Sequence, residues 1–285
     1  MRIGMISPLE MRVPPAAYGG TELIVSLLTE EYVKRGHEVT LFASGDSLTK
    51  AKLVSVCPTF LRGSERNKNV LNMLNALACL KRADEFDIIH NNTVLEGMSL
   101  ACLTKTPMLT TLHGHLDGDW HLLFDNYAGW YNTISLSAKS ILPQKERFAG
   151  VIYNAIDIAA FPFNDKPSNK YLFFLSRISH EKGPHLAIEV AKRTGMKLII
   201  AGNVDHVDVQ YFKKEIVPNI DGDQIKYVGE ANFEQKIELM KDAYCLLAPI
   251  TWHEPFGLFM VEAMACGTPV IVLNMGSAPE VVEDG

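Results

Sequence analysis

What the chain lacks narrows it before any motif is read. Its 285 residues contain no apolar run near the roughly 18 that a membrane span needs. The five cysteines, Cys57, Cys79, Cys102, Cys245 and Cys266, are scattered without a CxxC pair. That pattern excludes a disulfide framework and a zinc knuckle and points to a reducing compartment. Basic residues give no surplus: 27 Lys and Arg stand against 33 Asp and Glu, a net charge of −6, which is not the balance of a nucleic-acid binder. No short tandem repeat or low-complexity stretch occurs. The opening Met1 to Ile6 is too short and too quickly interrupted for a signal peptide and reads as a buried strand. These absences predict a cytoplasmic protein. Hydrophobic residues at 47% and charged residues at 21% have the proportions of a globular chain, long enough for two domains with separate cores.

Short apolar runs alternate with amphipathic stretches throughout, the pattern of βαβ units and parallel sheets. Ile3 to Ser7 is predicted as a strand and Pro8 to Gly20 as a loop. A helix capped by Thr21 follows, burying Leu23, Ile24, Leu27 and Leu28 and stopping at Gly36. Further strands are expected at Glu38–Phe42, Ile88–Ile89, Met108–Leu112, Tyr131–Ile134 and Val151–Ile152. Phe161 to Asn169 reads as a linker that Phe161 and Phe163 hold against the protein. The series then restarts with a strand at Tyr171–Leu175 and a helix from Pro184 to Arg193 ended by Gly195. Strands follow at Leu198–Ala201, Ile225–Val228, Cys245–Ala248 and Val270–Leu273. The expected architecture is two doubly wound α/β domains, residues 1–160 and 161–285, facing a cleft and gathering ligands at the carboxyl ends of their strands. Between Arg66 and Arg82, Val70, Leu71, Leu74, Leu77 and Ala78 recur at helical spacing; a core-facing helix is preferred to one lying on a membrane surface.

Three loops carry the chemistry. The strongest is Glu254-Pro-Phe-Gly-Leu-Phe-Met-Val-Glu262, directly after a strand. A helix starting near Leu258 leaves the amides of Phe256, Gly257 and Leu258 without intrahelical acceptors, ready for hydroxyl or phosphate oxygens. Glu254 and Glu262 can face one elongated ligand and accept from vicinal hydroxyls; alternatively Glu254 caps the helix and Glu262 lies on a solvated face. In the second, Ser176-Arg177-Ile-Ser-His-Glu-Lys182-Gly-Pro, the planar Arg177 fork and the compact Lys182 charge suit a diphosphate, or are simply two exposed charges on a polar loop. In the third, Tyr18-Gly19-Gly20-Thr21, the glycines permit close backbone approach to a phosphate, or form an ordinary turn.

Together these residues resemble glycosyltransferase family four, retaining enzymes of the GT-B fold. The resemblance runs from Met1 to Gly285 and is most specific over Arg177 to Gly183, Glu254 to Val270 and Gly276 to Gly285. It implies that Arg177 and Lys182 bind the donor diphosphate and stabilise its growing charge. Glu254 and the amides of Phe256, Gly257 and Leu258 would hold the sugar, and Glu262 the ribose. Gly20, with Gly19 beside it, would let the N-terminal loop approach the phosphates and the acceptor, making residues 1–160 the acceptor side and residues 161–285 the nucleotide-sugar side. His113, in Thr111-Leu-His-Gly114, matches the family's histidine near the transferred sugar, its alternative being a loop-ordering role. The implied reaction moves a hexose from a nucleotide sugar, UDP-glucose first, to an acceptor that the sequence does not identify. It needs no metal or other cofactor if Arg177, Lys182 and the helix ends neutralise the diphosphate.

Other expectations compete. His113-Gly-His115-Leu-Asp117-Gly-Asp119 partly resembles the metal motif of metallo-β-lactamase-type hydrolases, but Gly118 stands where that motif has histidine. Asp117-Gly-Asp119 and Asp221-Gly-Asp223 imitate a metal motif of another glycosyltransferase fold and read as turns. The family continues past the position matching Gly285. The resemblance therefore implies a missing C-terminal segment, with a non-catalytic nucleotide-sugar-binding protein as the alternative and self-association through the uncovered apolar face as a consequence.

Overall fold

The computed structural model describes residues 1–114, 116, 118–142, 146–167 and 171–284. The chain divides into two units, Met1–Asn154 and Ala155–Gly285. In the first, seven strands form one parallel sheet in the order β3-β2-β1-β4-β5-β6-β7. They are β1 (Arg2–Ile6), β2 (Glu38–Phe42), β3 (Lys52–Val54), β4 (Ile88–Asn91), β5 (Met108–Leu112), β6 (Trp130–Thr133) and β7 (Phe148–Val151). The helices are α1 (Gly20–Lys34), α2 (Lys68–Leu80), α3 (Leu95–Leu100), α4 (Trp120–Asn126) and α5 (Leu136–Ser140). Strand residues alternate between two cores, as a sheet covered on both faces requires. Ile3, Met5, Val39 and Leu41 pack with Val25 of α1, whereas Ile6, Phe42 and Ile89 pack with Cys79 and Leu80 of α2.

Two sequence expectations change here. The N-cap of α1 is Gly19, with no side-chain cap, and Thr21 lies in the first turn. Gly19 takes φ 153°, and the Glu22 carboxylate accepts from the Met11 amide at 3.2 Å, so the preceding loop is tied to the helix by Glu22. On α2 the buried residues are Asn75, Ala76, Cys79 and Leu80, while Val70 and Leu74 are 52% and 46% exposed. The helix is rotated from the expected apolar stripe because Asn75 Nδ2 donates to the carbonyls of Ser7 at 3.0 Å and Phe42 at 3.1 Å, just past β1 and at the end of β2. Those carbonyls need donors when buried, and that need outweighs two aliphatic side chains.

In the second unit five strands form a parallel sheet ordered β10-β9-β8-β11-β12. They are β8 (Tyr171–Leu175), β9 (Lys197–Ala201), β10 (Ile225–Tyr227), β11 (Cys245–Ala248) and β12 (Val270–Val272). Its helices are α6 (Pro184–Thr194), α7 (Val209–Tyr211), α8 (Phe233–Lys241), α9 (Leu258–Ala265) and α10 (Ala278–Val281). Leu172, Phe174, Cys245 and Leu247 pack with Ala187, Ile188 and Ala191 of α6. Phe173 and Leu246 take the other face with Ile237 and Met240 of α8 and Ala263 of α9. Each fully buried Leu, Ile, Phe or Met side chain contributes roughly 1.5–3 kcal/mol.

Within the expected linker, Phe161 is buried and packs edge-on to Phe233 at 5.5 Å, but Phe163 is 71% exposed. Asp221 and Asp223 form a turn, with Asp221 Oδ1 accepting from the Asp223 and Ile225 amides at 2.9 Å each. All five cysteines are free. No helix among the described residues is long and apolar enough to cross a membrane.

Candidate active site

Each sheet reverses its strand order once, between β1 and β4 and between β8 and β11. The loops after such strands diverge to opposite faces and leave a crevice at the carboxyl edge. In the second unit the loops after β8 and β11 are the ones that carry the charged motifs.

The β8 loop is anchored by Ile178, which is fully buried and donates its amide to Asn203 O at 2.8 Å. A 3₁₀ turn, His180–Lys182, leads to Gly183, whose φ of 74° is left-handed. A Cβ on Gly183 would lie 2.2 Å from the Pro249 carbonyl oxygen, so the two loops meet there and only glycine fits. That approach delivers Lys182 to Glu254. Both residues are buried, Lys182 Nζ pairs with Glu254 Oε2, and Trp252 Nε1 donates to the same oxygen at 2.9 Å. The Trp252 ring also lies 4.8 Å from the ammonium. The Glu254 turn is held from beyond β12: Ser277 donates its amide to Glu254 O at 3.0 Å, and a Cβ on Gly276 would meet the Glu254 amide at 2.4 Å.

Arg177 is held among carboxylates. Nη2 donates to Glu181 Oε1, and Nη1 lies 3.6 Å from Asp205 Oδ2 and from Asp208 Oδ2. Burial raises the Asp208 pKa and Arg177 opposes that rise. Gly257, left-handed at φ 78°, is the N-cap of α9, and no side chain caps the helix. Glu254 therefore does not cap α9. The amides of Gly257 and Leu258 open the first turn, where no intrahelical carbonyl is available. Glu262 lies inside α9 and is 4% exposed, which rules out a solvated face. It pairs with Lys236 of α8 at 2.6 Å, and Lys236 Nζ lies 5.2 Å from the Phe233 ring and 5.6 Å from the Phe161 ring. Lys236 was not legible as a site residue. It lies two elements upstream of Glu262, and its position in α8 suggests only an ordinary surface lysine.

The first unit has a different interior. His113 follows β5 and, with Pro8, Thr21, Asn72, Asn92 and Glu96, lines a cavity of about 310 Å³ at the carboxyl edge. Asn92 Nδ2 donates to Ile6 O at 3.1 Å, so its Oδ1, 2.9 Å from His113 Nε2, accepts a proton from that nitrogen. Burial, then neighbouring His90, holds the His113 pKa well below the usual imidazole range. His90 is pushed down to about 4 by burial; Nε2 donates to Thr111 Oγ1 at 2.8 Å, and that hydroxyl donates to Asn132 Oδ1 at 2.8 Å. Gly19 packs locally, since a Cβ there would lie 2.8 Å from Pro15 Cβ, and Gly20 is exposed at the start of α1. His115 and Asp117 of the hydrolase-like run lie outside the described residues. Among the described residues no group of three or more His, Cys, Asp or Glu is placed to hold a metal ion.

Comparison with known proteins gives this geometry a family. Residues 18–160 match the model of Glycosyltransferase Family 4, and residues 156–285 match that of group 1 glycosyl transferases. The D-inositol 3-phosphate glycosyltransferase of Mycolicibacterium smegmatis is 30% identical over 94% of this chain and 74% of its own length. Among solved structures, sucrose-phosphate synthase from Thermosynechococcus elongatus superposes with a TM-score of 0.80 at 18% identity, covering 97% of this chain and 82% of that one. Anabaena HepE, in complex with UDP and glucose, gives 0.76 at 21% identity, covering 100% and 84%. At those identities the two structures speak to the fold, two parallel α/β domains of GT-B type. The chain belongs to Glycosyltransferase Family 4 and is a glycosyltransferase of the GT-B fold.

Proposed function

We propose that the chain is a retaining hexosyltransferase that takes glucose from UDP-glucose without a metal ion. The observation that carries this reading is the pair of buried lysine–glutamate contacts, Lys182 with Glu254 and Lys236 with Glu262, on the elements that form and follow the crevice loops. Each carboxylate is desolvated, fixed and supplied with a cation that can change partners. A donor hydroxyl replaces lysine as the hydrogen-bond partner of Glu254, and Lys182 moves to a phosphate oxygen. The ribose hydroxyls make the corresponding exchange at Glu262. The nucleotide and sugar are those bound to HepE.

In the transfer step the bond between the sugar anomeric carbon and the β-phosphate oxygen breaks while the acceptor oxygen bonds to that carbon on the same face. The acceptor proton passes to the departing diphosphate. Negative charge grows on the diphosphate, so Arg177 and Lys182 stabilise the transition state more than the ground state. With these cations and the α9 amides, the protein supplies the neutralisation that a metal would otherwise give. The sugar is oriented by Glu254 and the Phe256–Leu258 backbone. His113 stays neutral and acts as a hydrogen-bonding group.

Titration calorimetry tests the proposal. UDP-glucose is expected to bind in the presence of EDTA, with unchanged affinity when manganese is added. Binding that vanishes in chelator and returns with manganese refutes the metal-free reading. Inversion of the product's anomeric configuration, read by proton NMR, refutes retention.

A further inference from the structure

The cavity of the first unit has a hydrogen-bonding character that narrows the acceptor. Most of its polar groups are already engaged. Asn92 uses both ends of its amide, and Asn72 Oδ1 accepts from the Leu9 amide at 3.0 Å. Among the described residues, four lining side-chain groups are not committed to another residue: the Thr21 hydroxyl, Asn72 Nδ2, the Glu96 carboxylate, which accepts from its own amide alone, and His113 Nδ1. Their chemistry is uneven. Asn72 Nδ2 donates, and Thr21 both donates and accepts. Glu96 when ionised and His113 Nδ1, its other nitrogen carrying the proton, can only accept. A ligand satisfying all four must itself offer donors as well as acceptors.

Hydroxyl groups do both. A phosphate or carboxylate at neutral pH offers acceptors only and leaves Glu96 and His113 Nδ1 opposed to lone pairs. Charge points the same way. No Lys or Arg lines the cavity among the described residues. Lys68, on the neighbouring helix α2, is held by Glu10 at 2.7 Å, and Glu10 in turn acts on Glu96. Burial raises the Glu96 pKa and the Glu10 charge raises it further. A protonated Glu96 still suits a hydroxyl, because it then both donates and accepts.

On the reading of this chain as a glucosyltransferase with its acceptor in the first unit, we infer that the acceptor is an uncharged polyol such as a sugar or cyclitol, and that Glu96 and Asn72 select it against phosphorylated counterparts. The two residues are specificity determinants: each reads hydroxyls through a side-chain group that no other residue engages. This sets the chain apart from the relative named for a phosphorylated inositol.

Matched probes test the inference. Saturation-transfer NMR on the donor-free protein compares myo-inositol with myo-inositol 1-phosphate, and glucose with glucose 6-phosphate. The neutral member of each pair is expected to bind at least about tenfold more tightly, and Glu96→Lys to shift that ratio about tenfold or more toward the phosphate. Asn72→Asp, which keeps the acceptor for Leu9 and removes the free donor, is expected to weaken the neutral probe several-fold. UDP protection of each variant against thermal unfolding reports separately on the second unit. Preference for the phosphorylated member, a ratio unmoved by Glu96→Lys, or no binding by either member overturns the inference. Failure of UDP to bind instead overturns the enzyme reading and leaves the polyol measurement valid.

Discussion

The two sheets each reverse strand order once, yet the crevices they form are furnished by opposite physical strategies. In the second unit the loops bring full charges of both signs together, Lys182 with Glu254 and Arg177 among three carboxylates, while Glu262 on α9 takes Lys236. In the first unit buried His90 and Glu22 have no ion-pair partner among the described residues and are pushed by burial toward their neutral forms, His90 to about 4 and Glu22 to about 7. A paired charge keeps its ionisation inside a protein, whereas an unpaired one changes its protonation. Under the proposed function the second crevice stores charge to exchange with an anionic ligand. The first offers neutral groups whose value lies in hydrogen-bond direction.

The largest effect expected from this contrast comes from removing one member of a pair. Lys182→Ala leaves the Glu254 carboxylate buried without its cation, which costs about 3–5 kcal/mol. The same change removes the charge proposed for the departing diphosphate, so turnover is expected to fall about 10²–10³-fold. Thermal unfolding and a UDP-release assay separate the two consequences. Adding Glu254→Gln to Lys182→Ala should restore most of the stability and none of the turnover. If Lys182→Ala leaves the melting temperature unchanged, the pair is not the buried unit described above.

In the first unit the corresponding experiment is a pH titration. Glu22 is an acid whose folded pKa, about 7, lies above its ordinary 4.5. The native state thus holds the proton more tightly than the unfolded chain. Stability from this group is fully present below pH 4.5, is lost as pH rises from there through 7, and levels off about 3 kcal/mol lower above that. Glu22→Gln keeps an oxygen for the Met11 amide and removes the titration. Its stability advantage over the wild type should be near zero at pH 4.5 and reach that size by pH 8. The depressed pKa values of His90 and His113 act oppositely, with stability lost as pH falls, so only the difference between variant and wild type isolates Glu22. A constant difference across this range contradicts the contrast between the units.

A smaller effect is expected at Glu262. Glu262→Ala removes the acceptor proposed for the ribose hydroxyls and should weaken UDP-glucose about tenfold, the equivalent of 1.4 kcal/mol. Lys236→Met frees Glu262 without removing it and should leave donor affinity within about threefold. Calorimetry on both variants decides whether the carboxylate or the ion pair matters to the donor. Equal losses in the two variants make the pair a structural support.

Much of this was legible in the sequence because buried parallel strands are short apolar runs. The expected bounds for β2, β5, β8 and β11 coincide with the structure, as do the Pro184 start and Gly195 stop of α6. The loops carrying Arg177, Lys182 and Glu254 follow from those bounds. What stayed hidden depends on distant partners. β3 spans three residues at the sheet edge and pairs only with β2, too little sequence for a period to emerge. The rotation of α2 is set by two strand carbonyls bonded to Asn75, and the partner of Glu262 lies 26 residues away on another helix. Periodicity reports which faces of an element are apolar; it carries no information about which buried polar atom elsewhere needs a donor.

Ionic strength is expected to produce the smallest separation between the crevices, and its size tests how complete the compensation is. An anionic diphosphate meeting two bare cations would lose affinity steeply with salt. Here Arg177 lies against Glu181, Asp205 and Asp208, and Lys182 against Glu254, so a donor exchanges one set of anionic oxygens for another. Ions outside a Debye length of about 8 Å at physiological salt act on the difference between those arrangements, which is small. Raising sodium chloride from about 50 to 300 mM should therefore increase the donor KM only about two- to threefold, and that of an uncharged polyol acceptor by less. A tenfold rise for the donor would mean that the carboxylates leave the cations before the diphosphate arrives, so that binding sees uncompensated charge. A steep rise for the acceptor would place an anion in the first crevice. The order of the two slopes, donor above acceptor and both shallow, is what paired charges in one unit and neutral groups in the other require.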